Sequence, residues 1–144
     1  MKTFQVAPGF HLELVAAEPM VADPVAIAFG ADGKLWVVEM RGYMPNIDGK
    51  GEDAPIGSIA VLEDTDGDGR MDKRTVFLDG LVMPRAIMLV ENGALIAEPT
   101  HLWLWRDTNG DGVADQKTEI ASDYGNTSNP EHNANGLMWA LDNS

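Results

Sequence analysis

Two short acidic segments carry the residues of this sequence that are best suited to chemistry. Their strings are DTDGDGRMD at 64–72 and DTNGDGVAD at 107–115, and both match the pattern D-x-[DN]-x-D-G-x-x-D. Side-chain oxygens at the first, third, fifth and ninth positions, with a backbone carbonyl at the seventh, suit the oxygen shell of Ca²⁺. Glycine at the sixth position permits a sharp turn. The sequence therefore predicts two calcium sites.

Each predicted site takes its ligands from equivalent positions. In the first loop the ligands are Asp64, Asp66, Asp68, the carbonyl of Arg70 and Asp72. In the second loop they are Asp107, Asn109, Asp111, the carbonyl of Val113 and Asp115. The alternative is that these residues turn a hairpin without a metal, because Asp and Gly are favoured in turns. Repetition of the ligand register favours the cation, because clustered carboxylates repel one another unless a cation lies among them.

The residues around the loops favour strands rather than the helices of an EF-hand. An EF-hand has a bidentate glutamate at its twelfth position, where this chain has Thr75 and Thr118. The flanking segments 58–62 and 75–78 are rich in β-forming residues. The loops resemble the cation loops in the hairpins of integrin-type propellers. Thrombospondin-like repeats share the string but normally carry cysteines, and this chain has none.

The elements that position the loops occur twice along the chain. Residues 23–40 align with 83–100, which pairs Pro24 with Pro84 and Gly33 with Gly93. Apolar residues in each copy alternate with a period close to two, as in strands. Four strands in about 40 to 60 residues are typical of one propeller blade. We place the extra residues of the first copy in a loop, 41–57, because of its Gly and Pro content.

The predicted fold class is all-β: a partial β-propeller of about two blades plus the start of a third, with the calcium loops in its β-hairpins. We treat 1–144 as one domain, with blade one at about 22–80, blade two at about 81–125 and the start of blade three at about 131–144. Two blades cannot close a ring. We therefore expect a fragment, or a unit that self-associates through the open face of blade two, where Ile87, Leu89, Leu95 and Trp139 would lack packing.

Composition narrows the function classes. The chain has 23 acidic and 10 basic residues, a net charge of −13, so it repels the phosphate backbone and nucleic acid is excluded as an expected partner. No apolar run reaches the roughly 18 residues of a membrane span, and no signal peptide is visible at the start. The absence of cysteine excludes disulfides, thiolate metal sites and c-type haem attachment.

Three parts of the sequence together resemble one family. Residues 17–43, the two acidic loops and residues 131–143 look like the N-terminal propeller of "membrane-bound dehydrogenase"-type proteins of Planctomycetes and Verrucomicrobia. That propeller is similar to soluble quinoprotein glucose/sorbosone dehydrogenases. The resemblance implies an extracytoplasmic protein, periplasmic or at the cell surface. It also implies pyrroloquinoline quinone (PQQ) in a full-length parent, a sugar or polyol substrate, and further blades or a haem domain as partners.

The resemblance also assigns one residue, and the position of a second suggests a role. His132 matches the histidine that takes the substrate hydroxyl proton in quinoprotein dehydrogenases, although Gly136, Ala140 and Asn143 depart from the motif that follows it. The other reading of His132 is an ordinary loop histidine. Arg85 follows Pro84 at the mouth of the predicted second blade and is a candidate contact for a cofactor or substrate anion. Its alternative is an ordinary surface or inter-blade ion pair.

Two functions remain open at this point. One is a calcium-binding propeller fragment of a sugar or polyol dehydrogenase-like protein, inactive in isolation because such a site is assembled from loops of several blades. The other is a non-enzymatic, calcium-stabilised propeller that presents a binding or adhesion surface to a glycan or protein.

Overall fold

The computed structural model describes residues 3–126, 132–138 and 140–141, and its strands form two four-stranded antiparallel sheets. The strands of the first sheet are β1 (Pro24–Phe29), β2 (Leu35–Glu39), β3 (Gly57–Glu63) and β4 (Lys73–Leu81). Those of the second are β5 (Ala86–Val90), β6 (Gly93–Ala97), β7 (Leu102–Arg106) and β8 (Gln116–Ala121). Each sheet follows chain order from edge to edge. The prediction of an all-β chain is confirmed.

No closed propeller is present among the described residues. The predicted start of a third unit, at about 131–144, falls partly outside them, and Trp139, Asp142 and Asn143 are among the residues left out. The described parts of this segment, 132–138 and 140–141, contain no strand. The structure thus has two complete four-stranded units. No helix in the described residues is long and apolar enough to cross a membrane.

The main core lies between the two sheets. It joins Val38, Ile59 and Val61 of the first sheet to Ile87 and Ile96 of the second. Alternation along β2 explains how one strand serves two cores, because successive side chains point to opposite faces. Trp36 and Val38 face the second sheet, whereas Leu35 and Val37 belong to a second cluster.

The second cluster covers the opposite face of the first sheet. We define the front face of the first sheet as the side that carries Ile27, Phe29, Leu35, Val37, Ala60 and Leu62. Leu35 and Val37 pair directly with Phe29 and Ile27 across β1 and β2, so all four share this side. Ala16, Met20 and Val21 of the N-terminal segment pack against its β2 and β3 part.

The two units repeat each other in register as well as in strand order. The β3–β4 pairing shifts between Ile59 and Ala60, and the β7–β8 pairing shifts at the corresponding place, between Leu102 and Trp103. One extra residue in the outer strand therefore bends both sheets at the same point.

The entry to each unit repeats too. Asp23 and Met83 both have positive φ, 45° and 42°, immediately before Pro24 and Pro84. Positive φ is uncommon outside glycine and confined to the left-handed region. The recurrence of this conformation marks a constraint shared by both units.

The alignment of Gly33 with Gly93 is wrong by one residue. Gly33 turns the β1–β2 hairpin with φ of 81°, but Gly93 lies within β6, and Asn92 with φ of 57° is the turning residue of the β5–β6 hairpin. The second hairpin is one residue shorter, because Leu89 pairs with Ala94 across a four-residue connection, whereas its counterpart Phe29 pairs with Leu35 across a five-residue connection.

The expected open face is also partly misplaced. Ile87 is 7% exposed and lies in the core between the sheets, so it does not lack packing. Its counterpart in the first unit, Ile27, is 59% exposed. The prediction assigned Ile87 to the open side because alternation fixes which residues share a face and does not say which face meets a neighbour.

Candidate metal centre

The first acidic loop connects β3 to β4 and is organised around Asp64. One carboxylate oxygen of Asp64 accepts a hydrogen bond from the N–H of Gly67 at 2.7 Å, and the other accepts from the N–H of Gly69 at 2.9 Å. Asp66 accepts from the N–H of Asp68, which in turn accepts from that of Arg70. Gly67 and Gly69 both have positive φ, which lets the chain curl around the carboxylate.

The second loop connects β7 to β8 and has the same bonds at every equivalent position. Asp107 accepts from the N–H groups of Gly110 at 2.6 Å and Gly112 at 2.8 Å. Asn109 accepts from Asp111, and Asp111 accepts from Val113. The two loops thus share one conformation, and each closes a β-hairpin, as predicted.

The ninth residue of each loop fastens its two ends together. Asp72 accepts hydrogen bonds from the backbone N–H and, at 2.8 Å, the hydroxyl of Thr65. Asp115 accepts from the N–H and hydroxyl of Thr108 in the same way. A threonine after the first aspartate was not singled out from the sequence, although it recurs in both strings. It holds the last carboxylate beside the first.

Three carboxylates of the first loop converge. Oxygen atoms of Asp64, Asp66 and Asp72 lie within 4.8 Å of one another, so this triad could hold a metal ion. Asp68 and Arg70 belong to the same loop but not to the triad. In the second loop Asn109 takes the place of Asp66, so an amide oxygen replaces one carboxylate. All of these candidate metal ligands are oxygen atoms, the ligand type that hard cations prefer.

The first aspartate of each loop is held in its charged form. The N–H of Gly69 is the main cause of a pKa of Asp64 below its ordinary value, and the N–H of Gly112 has the same effect on the pKa of Asp107. A carboxylate that accepts backbone N–H bonds is favoured in its ionised state. Both aspartates are therefore ready for a cation without first losing a proton.

The loops also join neighbouring parts of the molecule. Ala114, the eighth residue of the second loop, donates its N–H to the carbonyl of Phe77 in β4 at 2.8 Å. Met71 holds the same position in the first loop and donates to the carbonyl of Val15 at 2.9 Å. Sequence reasoning missed this junction. The available signal was an apolar residue at the eighth position of both loops, where an exposed metal loop has no need of one.

Glu39 is a second site that sequence reasoning missed. Its side chain is fully buried and accepts hydrogen bonds from the Ser58 hydroxyl, the Ala22 N–H, Arg41 and Arg74. Burial raises its pKa, but these donors and cations outweigh burial and leave the pKa below its ordinary value.

The second unit has a related contact between its second strand and the segment that leads into the unit. Glu98 accepts from the N–H of Val82 as Glu39 accepts from that of Ala22. Glu39 is the last residue of β2, and Glu98 directly follows β6, the second strand of the other sheet. They tie that strand to the segment that enters the unit.

The candidate base His132 and the candidate anion contact Arg85 lie in different surroundings. Arg85 is 8% exposed and lines a cavity of about 560 Å³ with Ala26, Ile87 and Leu137 among its neighbours. Burial lowers the pKa of its guanidinium. His132 is exposed and is not among the residues that line this cavity.

The chain matches a known protein family over its full length. The family model covers residues 1–144 and is described as a domain of unknown function, DUF7133. No curated protein and no solved structure matches the chain. Because the match spans the whole sequence, the chain belongs to the DUF7133 family.

Proposed function

We propose that each acidic loop binds one Ca²⁺ and that the two cations hold together consecutive blades of a β-propeller. The observation that carries the proposal is the identical hydrogen bonding of the two loops around Asp64 and Asp107. A turn-forming role alone explains a hairpin. It does not explain why three carboxylates of one loop are gathered within 4.8 Å of one another.

Calcium fits the ligands better than the other common biological cations. The loops offer carboxylate, amide and carbonyl oxygens and neither imidazole nor thiolate, which argues against zinc. Mg²⁺ requires near-ideal octahedral geometry and gives up its water reluctantly, whereas Ca²⁺ accepts six to eight oxygens in flexible arrangements. Asn109 lowers the charge of the second site, so we expect that site to bind more weakly.

The proposed role of the metal is structural because of what the loops contact. A cation that orders 107–115 also fixes the N–H of Ala114 against Phe77 of the first sheet. The same holds for 64–72, whose Met71 contacts the N-terminal segment at Val15. Each site thus stabilises a junction between structural units as well as its own hairpin.

Thermal unfolding with Ca²⁺, Mg²⁺ or EGTA tests this proposal. A ligand that binds only the folded state adds about 2.7 kcal/mol to the free energy of unfolding at a hundred times its Kd. We expect Ca²⁺ to raise the Tm, Mg²⁺ to raise it less, and EGTA to reverse the shift. Asp64→Asn and Asp107→Asn should each remove part of the shift, whereas Asp48→Asn, in the exposed 41–56 segment, should keep all of it. Equal Tm values in millimolar Ca²⁺ and in EGTA would refute the proposal.

A redox role in a larger protein is a second proposal, supported by Arg85. A buried guanidinium in a largely apolar cavity suits an anionic group. The fit to a polyanionic quinone is incomplete within the described residues, because Arg85 is the one charged side chain in the cavity lining and His132 lies elsewhere. Bound PQQ would supply hydride acceptance, and this chain would contribute Arg85 as an anion contact.

A further inference from the structure

The carboxylate of Glu39 is surrounded by more positive charge than it can balance. Arg41 donates a hydrogen bond to its Oε2 at 2.6 Å, and Arg74 donates to the same oxygen at 2.9 Å. Every other ion pair in the described part of the chain joins one basic side chain to one acidic side chain. The Glu39 cluster, made of Glu39, Arg41 and Arg74, therefore carries one uncompensated positive charge.

Strand pairing in the first sheet explains why two arginines meet at one carboxylate. Glu39 ends β2, and its Cα partner on β3 is Ser58. The Cα partner of Arg74 is Leu62, four residues further along β3. The Arg74 side chain therefore runs along the sheet to reach Glu39, whereas Arg41 reaches it from the connection that follows β2.

Arg74 loses water along this path without gaining a full set of partners. Its Nε is buried and has no hydrogen-bond partner within the described residues. A buried N–H without an acceptor costs free energy, and a buried charge is costly unless it is fully paired. Glu39 has little more to offer, because its carboxylate already accepts from the Ser58 hydroxyl and the Ala22 N–H. The cluster therefore lacks an anionic acceptor.

The two arginines are accessible to a ligand, whereas the glutamate is not. The side chains of Arg41 and Arg74 are 39% and 24% exposed, and that of Glu39 is 0% exposed. Each arginine binds Glu39 through one terminal nitrogen, Nη2, of a guanidinium that has five N–H donors. Because both Nη2 atoms bind the same oxygen, the two guanidiniums lie close enough together for one small ligand to contact both. An anion can therefore approach from the solvent side.

We infer that Arg41 and Arg74 form a binding site for a small organic monocarboxylate, which completes the charge balance of the Glu39 cluster. A carboxylate presents two oxygens in one plane, and guanidinium groups bind that shape through parallel N–H donors. Its single negative charge matches the uncompensated positive charge. A dianion such as sulfate exceeds that charge and is repelled by a chain whose net charge is −13. The site uses none of the predicted calcium ligands.

Acetate binding at constant ionic strength and constant Ca²⁺ tests the site. Acetate replaces chloride stepwise, and the transverse relaxation of its methyl protons, measured by NMR, reports binding to the full chain. Arg41→Gln removes one guanidinium and leaves both acidic loops intact. Lys50→Gln is the control for the loss of one positive charge, because the Lys50 side chain is 82% exposed. Circular dichroism checks the fold of each variant, and Arg41→Lys, which keeps the charge without the planar fork, serves if Arg41→Gln does not fold.

We expect the native chain to bind acetate with a Kd on the order of millimolar, and Arg41→Gln to bind it about tenfold more weakly, because a hydrogen bond to a charged group is lost. Arg41→Lys should also bind more weakly, and Lys50→Gln should bind as the native chain does. Equal binding by the native chain and the Arg41 variants would overturn the inference, because acetate would then bind elsewhere, for example at a calcium ion. No detectable binding at about 100 mM acetate would overturn it too. Sulfate that displaces acetate at a lower concentration than acetate itself requires would overturn the assignment to a monocarboxylate.

Discussion

At the residue scale, the chemistry of this chain lies in carboxylates that are held by donated hydrogen bonds. Sequence could predict the acidic loops because their ligand positions are close together in the chain. It could not predict Glu39, whose partners Ala22, Ser58 and Arg74 lie far apart in sequence and meet only when β2, β3 and β4 pair. A single glutamate at the end of an apolar strand gives no local sign of burial.

The Glu39→Gln variant should be less stable by about 3 kcal/mol at neutral pH. This is the low end of the range for breaking a buried ion pair, because Arg41 and Arg74 keep partial access to water. Urea unfolding at constant Ca²⁺ measures the difference, with the exposed Glu91→Gln as the control. A change of less than about 0.5 kcal/mol, as at an ordinary surface site, would contradict the role assigned to Glu39.

The pH dependence of that difference has a definite sign. The folded-state pKa of Glu39 lies below its ordinary value of 4.5, so its stabilisation is present above pH 4.5 and is lost as pH falls through the lowered pKa. We expect the gap in unfolding free energy between the native chain and Glu39→Gln to narrow below pH 4.5. Unfolding curves from pH 7 to 3 test this, and a gap that widens in acid would contradict it.

At the element scale, apolar alternation in the sequence predicted the strands, whereas the sequence predicted the turns only in part. The hairpin at 31–33 and the run 102–105 were predictable because apolar alternation is a local property. The one-residue difference between the β1–β2 and β5–β6 hairpins was hidden, because two aligned glycines gave a plausible match. Asn92 turns the shorter hairpin, and Asn is among the residues that tolerate positive φ.

The Gly93→Ala variant should be less stable, because β6 and β7 approach each other closely at Gly93. A Cβ at Gly93 would overlap the carbonyl oxygen of Trp105 and lie 2.9 Å from the Cα of Arg106, both of them backbone atoms. We expect a loss of about 3 kcal/mol, the upper part of the range for overpacking. Gly42→Ala is the control, because its nearest neighbour would be 3.4 Å away. Equal denaturation midpoints for the two variants would contradict this, because they would show that β7 shifts to accommodate the added Cβ without loss of stability.

At the scale of the whole molecule, two sheets with the same strand order and matching bulges make the repeat a structural fact. Sequence reasoning anticipated two units and an open face. It assigned Ile87 to the open face, whereas Ile87 lies in the core between the sheets. The strand period does not encode which face of one sheet packs on the next, because tertiary contacts decide that.

The exposed β1 part of the front face should make the chain self-associate. Ile27 and Phe29 expose large apolar surfaces on one strand, and such surfaces are recognised sites of association. We expect sedimentation velocity to show mass rising with concentration, and Ile27→Asp to reduce that association while Ile47→Asp leaves it unchanged. A monodisperse monomer at all concentrations would contradict this expectation.

The isolated chain should not oxidise sugars or polyols with added PQQ and a dye acceptor. The reason is geometric, because His132 is exposed and is not among the residues that line the cavity of Arg85. A dye-reduction assay at millimolar substrate checks this. Turnover that disappears in His132→Ala would instead make His132 a catalytic base within this chain.

Calcium stoichiometry tests the central claim most directly. Isothermal titration of the chelator-treated chain should show two Ca²⁺ bound per chain, the weaker one assigned to the loop that contains Asn109. Asp64→Asn and Asp107→Asn should each leave one site, the double variant none, and the control Asp48→Asn two. No binding heat at millimolar Ca²⁺, or two sites that persist in the double variant, would show that the acidic loops are hairpin turns without a metal.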